Sequence, residues 1–198
     1  ATLILDGCAA PGSKTTQIAA LNQKGLIVAN ELEYTRIRAL KHNTEKTGCL
    51  NIQTTNLNFL RLPNDYEYDV ILLDAPCSGE GTCRKNPKIF LSWKEKDYKS
   101  YSGIQKQLIM KAYNLLKEGG TLIYSTCTFA PEENERVINH LLENTTAKIQ
   151  EIKIKNLKSR EGITEWMGET YSPEVKKAMR IWPQDNDTGG FFISKFTK

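Results

Sequence analysis

Short apolar runs alternate with longer amphipathic stretches along most of the chain. Val70-Ile71-Leu72-Leu73 is β-branched at its start and follows Asp69, which reads as a buried parallel strand, with strand four running from Tyr68 to Leu73. Similar runs at Thr2–Leu5, Gly25–Ala29, Asn51–Thr55 and Thr121–Ser125 predict four more strands. Between them, Ser13 is placed to N-cap a helix through Leu21. A second helix is predicted over 32–46, stopped by Gly48. A third is predicted from Gly103 to Leu116 by the spacing of Ile104, Leu108, Ile109, Ala112, Leu115 and Leu116, with Gly119-Gly120 closing it. Pro131-Glu132-Glu133-Asn134-Glu135 opens a fourth, with proline and acids in its first turn and Val137, Ile138, Leu141 and Leu142 along it. Ala147–Ile154 alternates as a sixth strand, and Gly190–Phe196 reads as a last strand hairpinned with it. Lys155–Lys177 is the least regular stretch and is expected to be a mobile excursion. Alternating strands and helices with a terminal hairpin predict one doubly wound α/β domain spanning the chain.

The length of 198 residues suits a single domain with a sizeable core. A formal net charge of +4 says little by itself, but its distribution is uneven. From Arg84 to Lys117 there are nine Lys/Arg against two acids, a local +7 that leaves about −3 for the rest. Phe90, Trp93, Tyr98 and Tyr101 lie among those cations, a mixture that suits a polyanion with stackable bases or, equally, a solvated helix face over core aromatics. Five cysteines without a C-x-x-C pair argue against a disulfide framework and for reduced thiols in a cytosol-like compartment. With only His42 and His140 as histidines, a structural metal is not expected. No apolar run approaches a membrane span and no signal-peptide pattern is present. A functional motif so close to residue 1 reads as the core of a longer protein that lacks an N-terminal extension.

Chemistry in an open α/β sheet collects at the carboxyl ends of its strands. Three such ends are unusual here. Asp74-Ala75-Pro76-Cys77-Ser78-Gly79-Glu80-Gly81-Thr82 follows strand four and combines a carboxylate, a thiol and two glycines. Thr126-Cys127-Thr128 ends strand five with a second thiol. Asp6-Gly7-Cys8-Ala9-Ala10-Pro11-Gly12 joins the first strand to a helix N-terminus, where small residues and free amides suit a nucleotide-like ligand. That loop matches neither G-x-G-x-x-G nor a Walker phosphate loop, and a plain tight turn is the bland reading. Glu31, ending strand two, can accept from ribose hydroxyls or complement the following helix dipole. Cys49 and Cys83 read as small buried hydrophobes, Cys8 as packing beneath its loop, and Trp166 and Trp182 as packing residues.

Together these motifs resemble the catalytic core of the NSUN/RsmB-type RNA cytosine-5 methyltransferases over nearly the whole chain. The resemblance rests on Asp6 to Thr15, Asn30-Glu31 with Arg36, Asp74 to Gly79 with Gly81-Thr82 and Arg84 to Pro87, Ser125 to Thr128 with Pro131 to Glu135, and Gly189-Gly190-Phe191-Phe192. It implies a class I, Rossmann-like, seven-stranded sheet with a C-terminal antiparallel hairpin, S-adenosyl-L-methionine as cofactor, and a tRNA or rRNA partner. Cys8, Ala9, Ala10, Pro11, Gly12, Ser13 and Lys14 would then hold the methionine and ribose part of the cofactor, with Arg36 and Asp74 also in that site. Glu31 would take the ribose, where the family more often has Asp, and Asn58 the adenine amino group, where it usually has a charged Asp. Cys127 would be the nucleophile, Cys77 would assist product release, Asp74 would hold or protonate ring nitrogen 3, and Lys14 would stabilise charge on the base. Arg84, Lys85 and Lys88 would meet RNA phosphates. A cytoplasmic monomer without membrane or metal partners is the matching expectation.

Three rivals remain at this stage. An exocyclic-amine methyltransferase would want an aromatic in the Asp74-Ala75-Pro76-Cys77 loop. A DNA cytosine-5 methyltransferase would use the Pro-Cys thiol, Cys77, as its nucleophile, leaving Thr126-Cys127 unexplained. A catalytically silent RNA-binding or ribosome-assembly factor would have no need for Asp74, Cys77 and Cys127 together.

Overall fold

The structure is a computed structural model that describes residues 2–92 and 94–198; Trp93, one of the aromatics among the cations, lies outside them. Its elements in chain order are β1 (Leu3–Asp6), α1 (Ser13–Leu21), β2 (Leu26–Asn30), α2 (Tyr34–Thr47), β3 (Ile52–Thr55) and β4 (Tyr68–Asp74). There follow α3 (Ile89–Ser92), α4 (Glu95–Asn114), β5 (Leu116–Thr126), α5 (Glu135–Asn144) and β6 (Lys148–Gln150). The chain ends with β7 (Arg160–Glu161), β8 (Glu165–Trp166), β9 (Glu169–Thr170), β10 (Met179–Ile181), α6 (Pro183–Asn186) and β11 (Phe191–Thr197).

The main sheet runs β3-β2-β1-β4-β5-β11-β10-β7. Its first five strands are parallel, and β11 enters antiparallel beside β5. The chain winds outward from β1 to β3, then returns to start β4 on the other side of β1, so β1 and β4 flank the switch point where such sheets bind ligands. Apolar residues cover both faces. Leu108, Ile109 and Ala112 of α4 and Val137, Ile138 and Leu141 of α5 pack with Leu5, Ile71, Leu73, Leu122 and Phe192. On the opposite face Ile37 and Leu40 of α2 pack on Ala29, while Ala19 of α1 packs on Ile4 and Ile27.

The structure departs from the sequence reading at particular places. Ser13 is the first helical residue of α1 rather than its cap; Gly12 caps it at φ 104°, a left-handed conformation that suits glycine. The third predicted helix starts earlier, at Glu95, and β5 starts at Leu116, so Gly119-Gly120 lies inside a strand that pairs with β4 up to Ser125. The main sheet has nine strands rather than seven, because β10 joins β6 along one edge of β11 and β7 pairs with β10 in turn. The sixth strand does pair antiparallel with the last, yet the strand that directly precedes β11 is β10. Within 155–177 the chain forms β7, the β8–β9 hairpin and a 3₁₀ turn at Pro173–Lys177. Among the described residues no helix is long and apolar enough to cross a membrane, and no group of three or more metal-ligating side chains gathers.

One buried ion pair ties the end of this excursion to the core. Arg180 of β10 donates through Nε to Glu135 at 2.6 Å, and its Nη1 donates to the Phe129 carbonyl at 3.0 Å. Both side chains are nearly inaccessible, at 5% and 0%. Removing one partner strands a charge in low dielectric, at a cost of about 3–5 kcal/mol. Arg180→Met is therefore expected to lose stability on that scale in urea titration; a loss below about 1 kcal/mol would show that the pair does not hold β10 to the core.

Candidate active site

The carboxyl ends of β1, β4 and β5 bring together side chains from four separated stretches. Asp74, the last residue of β4, is opposite Ser125 in β5. Its Oδ1 accepts from Ser125 Oγ at 2.7 Å, and its Oδ2 lies 2.6 Å from Lys14 Nζ. Lys14 reaches this point from the first turn of α1, and its ammonium also lies 5.5 Å from the Phe191 ring centre. The carboxylate is thus fixed by the hydroxyl of buried Ser125 and by the partly exposed Lys14 ammonium.

Next to it, Cys77 Sγ and Cys127 Sγ are 3.3 Å apart, although they are 50 residues apart in sequence. Backbone contacts hold their loops in register. The Gly81 amide donates to the Cys127 carbonyl at 2.8 Å, and the Gly190 amide donates to the Gly81 carbonyl at 2.8 Å. A Cβ on Gly81 would lie 2.3 Å from the Gly190 oxygen and 2.9 Å from the Cys127 oxygen, so only glycine fits between these strands of chain. The Ser78 and Thr128 hydroxyls complete the bridge at 2.7 Å.

Behind both loops lies Pro131–Asn134, which the sequence reading assigned to a helix but which forms a buried turn before α5. Glu133 Oε2 accepts from the Ser78 amide at 3.0 Å and from Gln105 Nε2 at 2.9 Å, and the same Gln105 amide donates to the Pro76 carbonyl at 2.8 Å. Asn134 accepts from the Thr126 hydroxyl and donates to the Thr128 carbonyl at 3.0 Å. Tyr124 donates to the Glu133 carbonyl at 2.6 Å. One turn therefore grips the Cys77 loop with one side chain and the Cys127 loop with the next.

The two thiols are electrostatically unequal. The Cys127 thiol is lowered below its ordinary value, first by the hydrogen bond from Cys77, with burial and the Asp74 charge opposing and Lys14 helping. The Cys77 thiol is pushed well up by the same hydrogen bond and by its deeper burial. A Cys77 S–H donating to a Cys127 thiolate accounts for both directions.

The first loop is built for a polar ligand. Asp6, inaccessible at the end of β1, accepts from Thr15 Oγ1 at 2.7 Å through Oδ2, while its Oδ1 has no partner among the described residues. Burial pushes its carboxyl up to about 6, against the Thr15 hydrogen bond and with Asp74 and Glu31 adding to the rise. Burial also pushes the Cys8 thiol up to about 12, consistent with a packing role beneath the loop. Glu31 accepts from the Ala10 amide at 3.3 Å and the Glu33 amide at 3.0 Å, so it both closes the loop and caps the approach to α2. Arg36 stands 3.5 Å from Glu31 and donates to the Ala10 carbonyl at 2.7 Å. Asn58 is exposed, and its Oδ1 accepts from the Leu60 amide at 3.0 Å, leaving one lone pair for a ligand. Beside Glu31, Leu32 is 58% exposed at the sheet end and offers an apolar face that the sequence reading did not single out.

A cofactor with an aminoacyl group and a ribose fits these residues: an orphaned buried carboxylate oxygen, a small-residue loop, and an acid at the end of β2. Of the basic candidates, Lys85 and Lys88 are exposed, whereas Arg84 pairs with Asp187 at 2.5 Å. Asp6, Glu133 and Asn134 belong to the site but drew no functional reading. Asp6 carried a usable signal, being an acid at a strand's carboxyl end; the turn counted toward the family resemblance but suggested no role of its own, since acids after proline open many helices.

Residues 1–197 match the 16S rRNA methyltransferase RsmB/F family. A tRNA (cytosine(49)-C(5))-methyltransferase of Pyrococcus abyssi is 46% identical over 200 residues, covering 99% of this chain and 63% of that protein. A ribosomal RNA small subunit methyltransferase F of Shewanella piezotolerans is 39% identical over 98% of this chain and 40% of its own length. Among solved structures, a methyltransferase homolog protein from Pyrococcus horikoshii superposes with a TM-score of 0.86 at 36% identity, over all of this chain and 61% of that one. NSun6 from the same organism, solved with SFG, superposes with a TM-score of 0.85 at 33% identity over 47% of its length. The chain spans about two fifths to three fifths of the length of these relatives. With the loops at the switch point, the paired thiols and these matches in hand, the chain belongs to the RsmB/F methyltransferase family and carries its Rossmann-like α/β sheet.

Proposed function

We propose that this chain is the single catalytic domain of an RNA cytosine-5 methyltransferase that uses S-adenosyl-L-methionine and a covalent Cys127 adduct. The observation that supports it most is the 3.3 Å approach of Cys77 and Cys127 beside the fixed Asp74–Lys14 pair. The names of its relatives, which include tRNA and rRNA methyltransferases, and the SFG (an S-adenosylmethionine analogue) in one structural neighbour point the same way. Five free cysteines fit a reducing, cytosol-like compartment.

When bound, the cofactor supplies an electrophilic methyl group on a sulfonium. Asp6 and the loop from Cys8 to Lys14 hold its aminoacyl end, Glu31 its ribose, and Asn58 with Leu32 its adenine. Arg36 braces Glu31. Lys85 and Lys88, with Arg84 once released from Asp187, meet RNA phosphates. The target cytosine must leave its stack to reach the thiols.

Cys127 then adds to carbon 6 of the flipped cytosine. The thiolate pair forms the sulfur–carbon bond, and the displaced ring electrons accumulate at carbon 5 and nitrogen 3. Asp74 orients nitrogen 3 and the amino group on carbon 4, and the Lys14 ammonium balances that charge. Carbon 5 takes the methyl group. Afterwards its proton passes to water, the C5–C6 double bond re-forms, and the sulfur–carbon electrons return to Cys127. The Cys77 S–H receives that thiolate by the same hydrogen bond that favours it before reaction.

Cys127→Ala is expected to abolish methyl transfer to a tRNA mixture while leaving cofactor affinity within about twofold, measured with labelled cofactor and by calorimetry. Cys77→Ala should accumulate a denaturation-resistant RNA–protein adduct. Loss of methyl transfer in Cys77→Ala, with the adduct trapped in Cys127→Ala instead, would reverse the thiol roles. Independently of turnover, Cys77→Ala should slow iodoacetamide alkylation of Cys127 near neutral pH, because the thiolate loses its donor; unchanged alkylation would remove the basis for the assignment.

Asp6 offers a test through pH. Its folded pKa of about 6 exceeds the ordinary 3.8. The protonated form is therefore favoured by folding, and its contribution to stability is complete below about pH 4 and lost as pH rises through 6. Asp6→Asn should stabilise the cofactor-free protein at pH 7 by up to about 2–3 kcal/mol, with the gain vanishing toward pH 4. It should also weaken cofactor binding about tenfold. Tighter cofactor binding in the variant would exclude Asp6 from the site.

A further inference from the structure

A concavity opens beside the segment that follows the Cys127 loop, where Phe129 to Glu132 line it. It measures about 450 Å³, and its walls include Phe129, Trp182, Trp166, Met167, Tyr98 and Glu132. Phe129 and Trp182 are stacked, with ring centres 4.8 Å apart and planes within 3°. The fourth wall is the β8–β9 hairpin, whose two-residue tip is Met167-Gly168. Met167 has φ 48°, a conformation that a non-glycine residue rarely adopts, and it is 77% exposed. Trp166 is 37% exposed and held in place by its Nε1 donating to Glu132 Oε1 at 3.0 Å. The sequence reading took both tryptophans as packing residues; Trp182 does pack, but Trp166 presents a ring to an open cavity.

This cavity is continuous with the nucleophile's loop. Glu80, which also lines it, accepts from the Thr128 hydroxyl at 3.0 Å and the Phe129 amide at 3.3 Å, so its inner wall begins at Phe129, two residues after Cys127. A flat, apolar, aromatic-lined space of this size accepts a planar heterocycle, and single-stranded bases stack on such rings. A carboxylate at its rim, Glu132, can accept from an exocyclic amine. A base flipped to Cys127 drags its neighbours out of the helical stack, and this apolar cavity adjoins the Cys127 loop.

We propose that the cavity seats the unpaired nucleobase adjacent to the target cytosine in the RNA strand, with Trp166 and Met167 closing over it. The inference rests on the methyltransferase reading above and makes the β8–β9 hairpin a determinant of sequence context.

The test begins with wild-type protein and a tRNA transcript mixture, in which the modified cytosine is mapped. A synthetic RNA carrying that cytosine is then methylated by wild type and by the double variant Trp166→Ala, Met167→Gly. The expected result is a KM raised about tenfold with kcat within about twofold, in line with the loss of one stacked base. Trp166→Phe should restore most of the loss. Replacing one of the two flanking nucleotides by an abasic sugar should raise the wild-type KM similarly and make the double variant harmless on that RNA. An unchanged KM, a loss confined to kcat, or a full variant penalty on both abasic RNAs would overturn the proposal. If wild type methylates no RNA at all, the parent reading fails and the subsite falls with it; a wild type that methylates normally while the variants behave as wild type refutes the subsite alone.

Discussion

The buried turn at Glu133 and Asn134 is the contact on which the rest of the site depends. Strand ends in a parallel sheet place loops near one another, but they do not fix side chains to a few tenths of an ångström. Here two adjacent side chains each take a different loop: Glu133 holds the Ser78 amide and, through Gln105, the Pro76 carbonyl, while Asn134 holds Thr126 and the Thr128 carbonyl. Because the two are neighbours in sequence, neither loop can shift without moving the other. The Arg180–Glu135 pair extends the same turn to β10, and through the Phe129 carbonyl back to the Cys127 loop. A network of this kind is worth having only when nearly all its members are satisfied, since an unpaired buried polar group costs about 1–3 kcal/mol.

Three buried side-chain oxygens nonetheless lack partners among the described residues: Asp6 Oδ1, Gln105 Oε1 and Glu133 Oε1. Two of them belong to the clamp, and Glu133 answers its burial with a carboxyl pushed above the ordinary range. Asp6 is different in kind. It lies at the switch point between β1 and β4, against a loop of small residues, and its free oxygen has no structural use there. Destabilising groups placed where a sheet binds ligands are the usual sign that local stability has been given up for a ligand contact.

How much of this was legible in the sequence follows from the range of the interactions. The parallel strands, the strand-end loops and the two thiols are local patterns of apolar runs followed by Gly and Pro, and they were read to within a few residues. The loops' residue types also carried the family resemblance. What escaped is long-range. Nothing local distinguishes Glu133 as a buried acceptor from an ordinary acid in a helix's first turn. Its partners lie 55 and 28 residues away at Ser78 and Gln105. The same holds for β10, a three-residue strand that exists only because β11 has a free edge long enough for it beside β6. Gly81 was visible as a glycine, but its reason, a carbonyl on each side within reach of a Cβ, is a property of three segments at once.

The opposite shifts of the two thiols support the proposed assignment over a Cys77 nucleophile, and they arise from surroundings rather than from the sulfurs. Cys77 is the more deeply enclosed and faces the Glu133 charge, so ionising it places a negative charge in a poorly solvated spot beside another. Cys127 has the more open position, and its nearest ions, Lys14 and Asp74, are paired with each other and act on it in opposite directions. With those two charges largely offset, the deciding influence on Cys127 is the S–H it receives from Cys77. A mechanism that made Cys77 the nucleophile would have to reverse that hydrogen bond and charge the more buried sulfur first. The enclosure that makes Cys77 a poor thiolate also keeps its proton in place, which is what a partner for a departing thiolate requires.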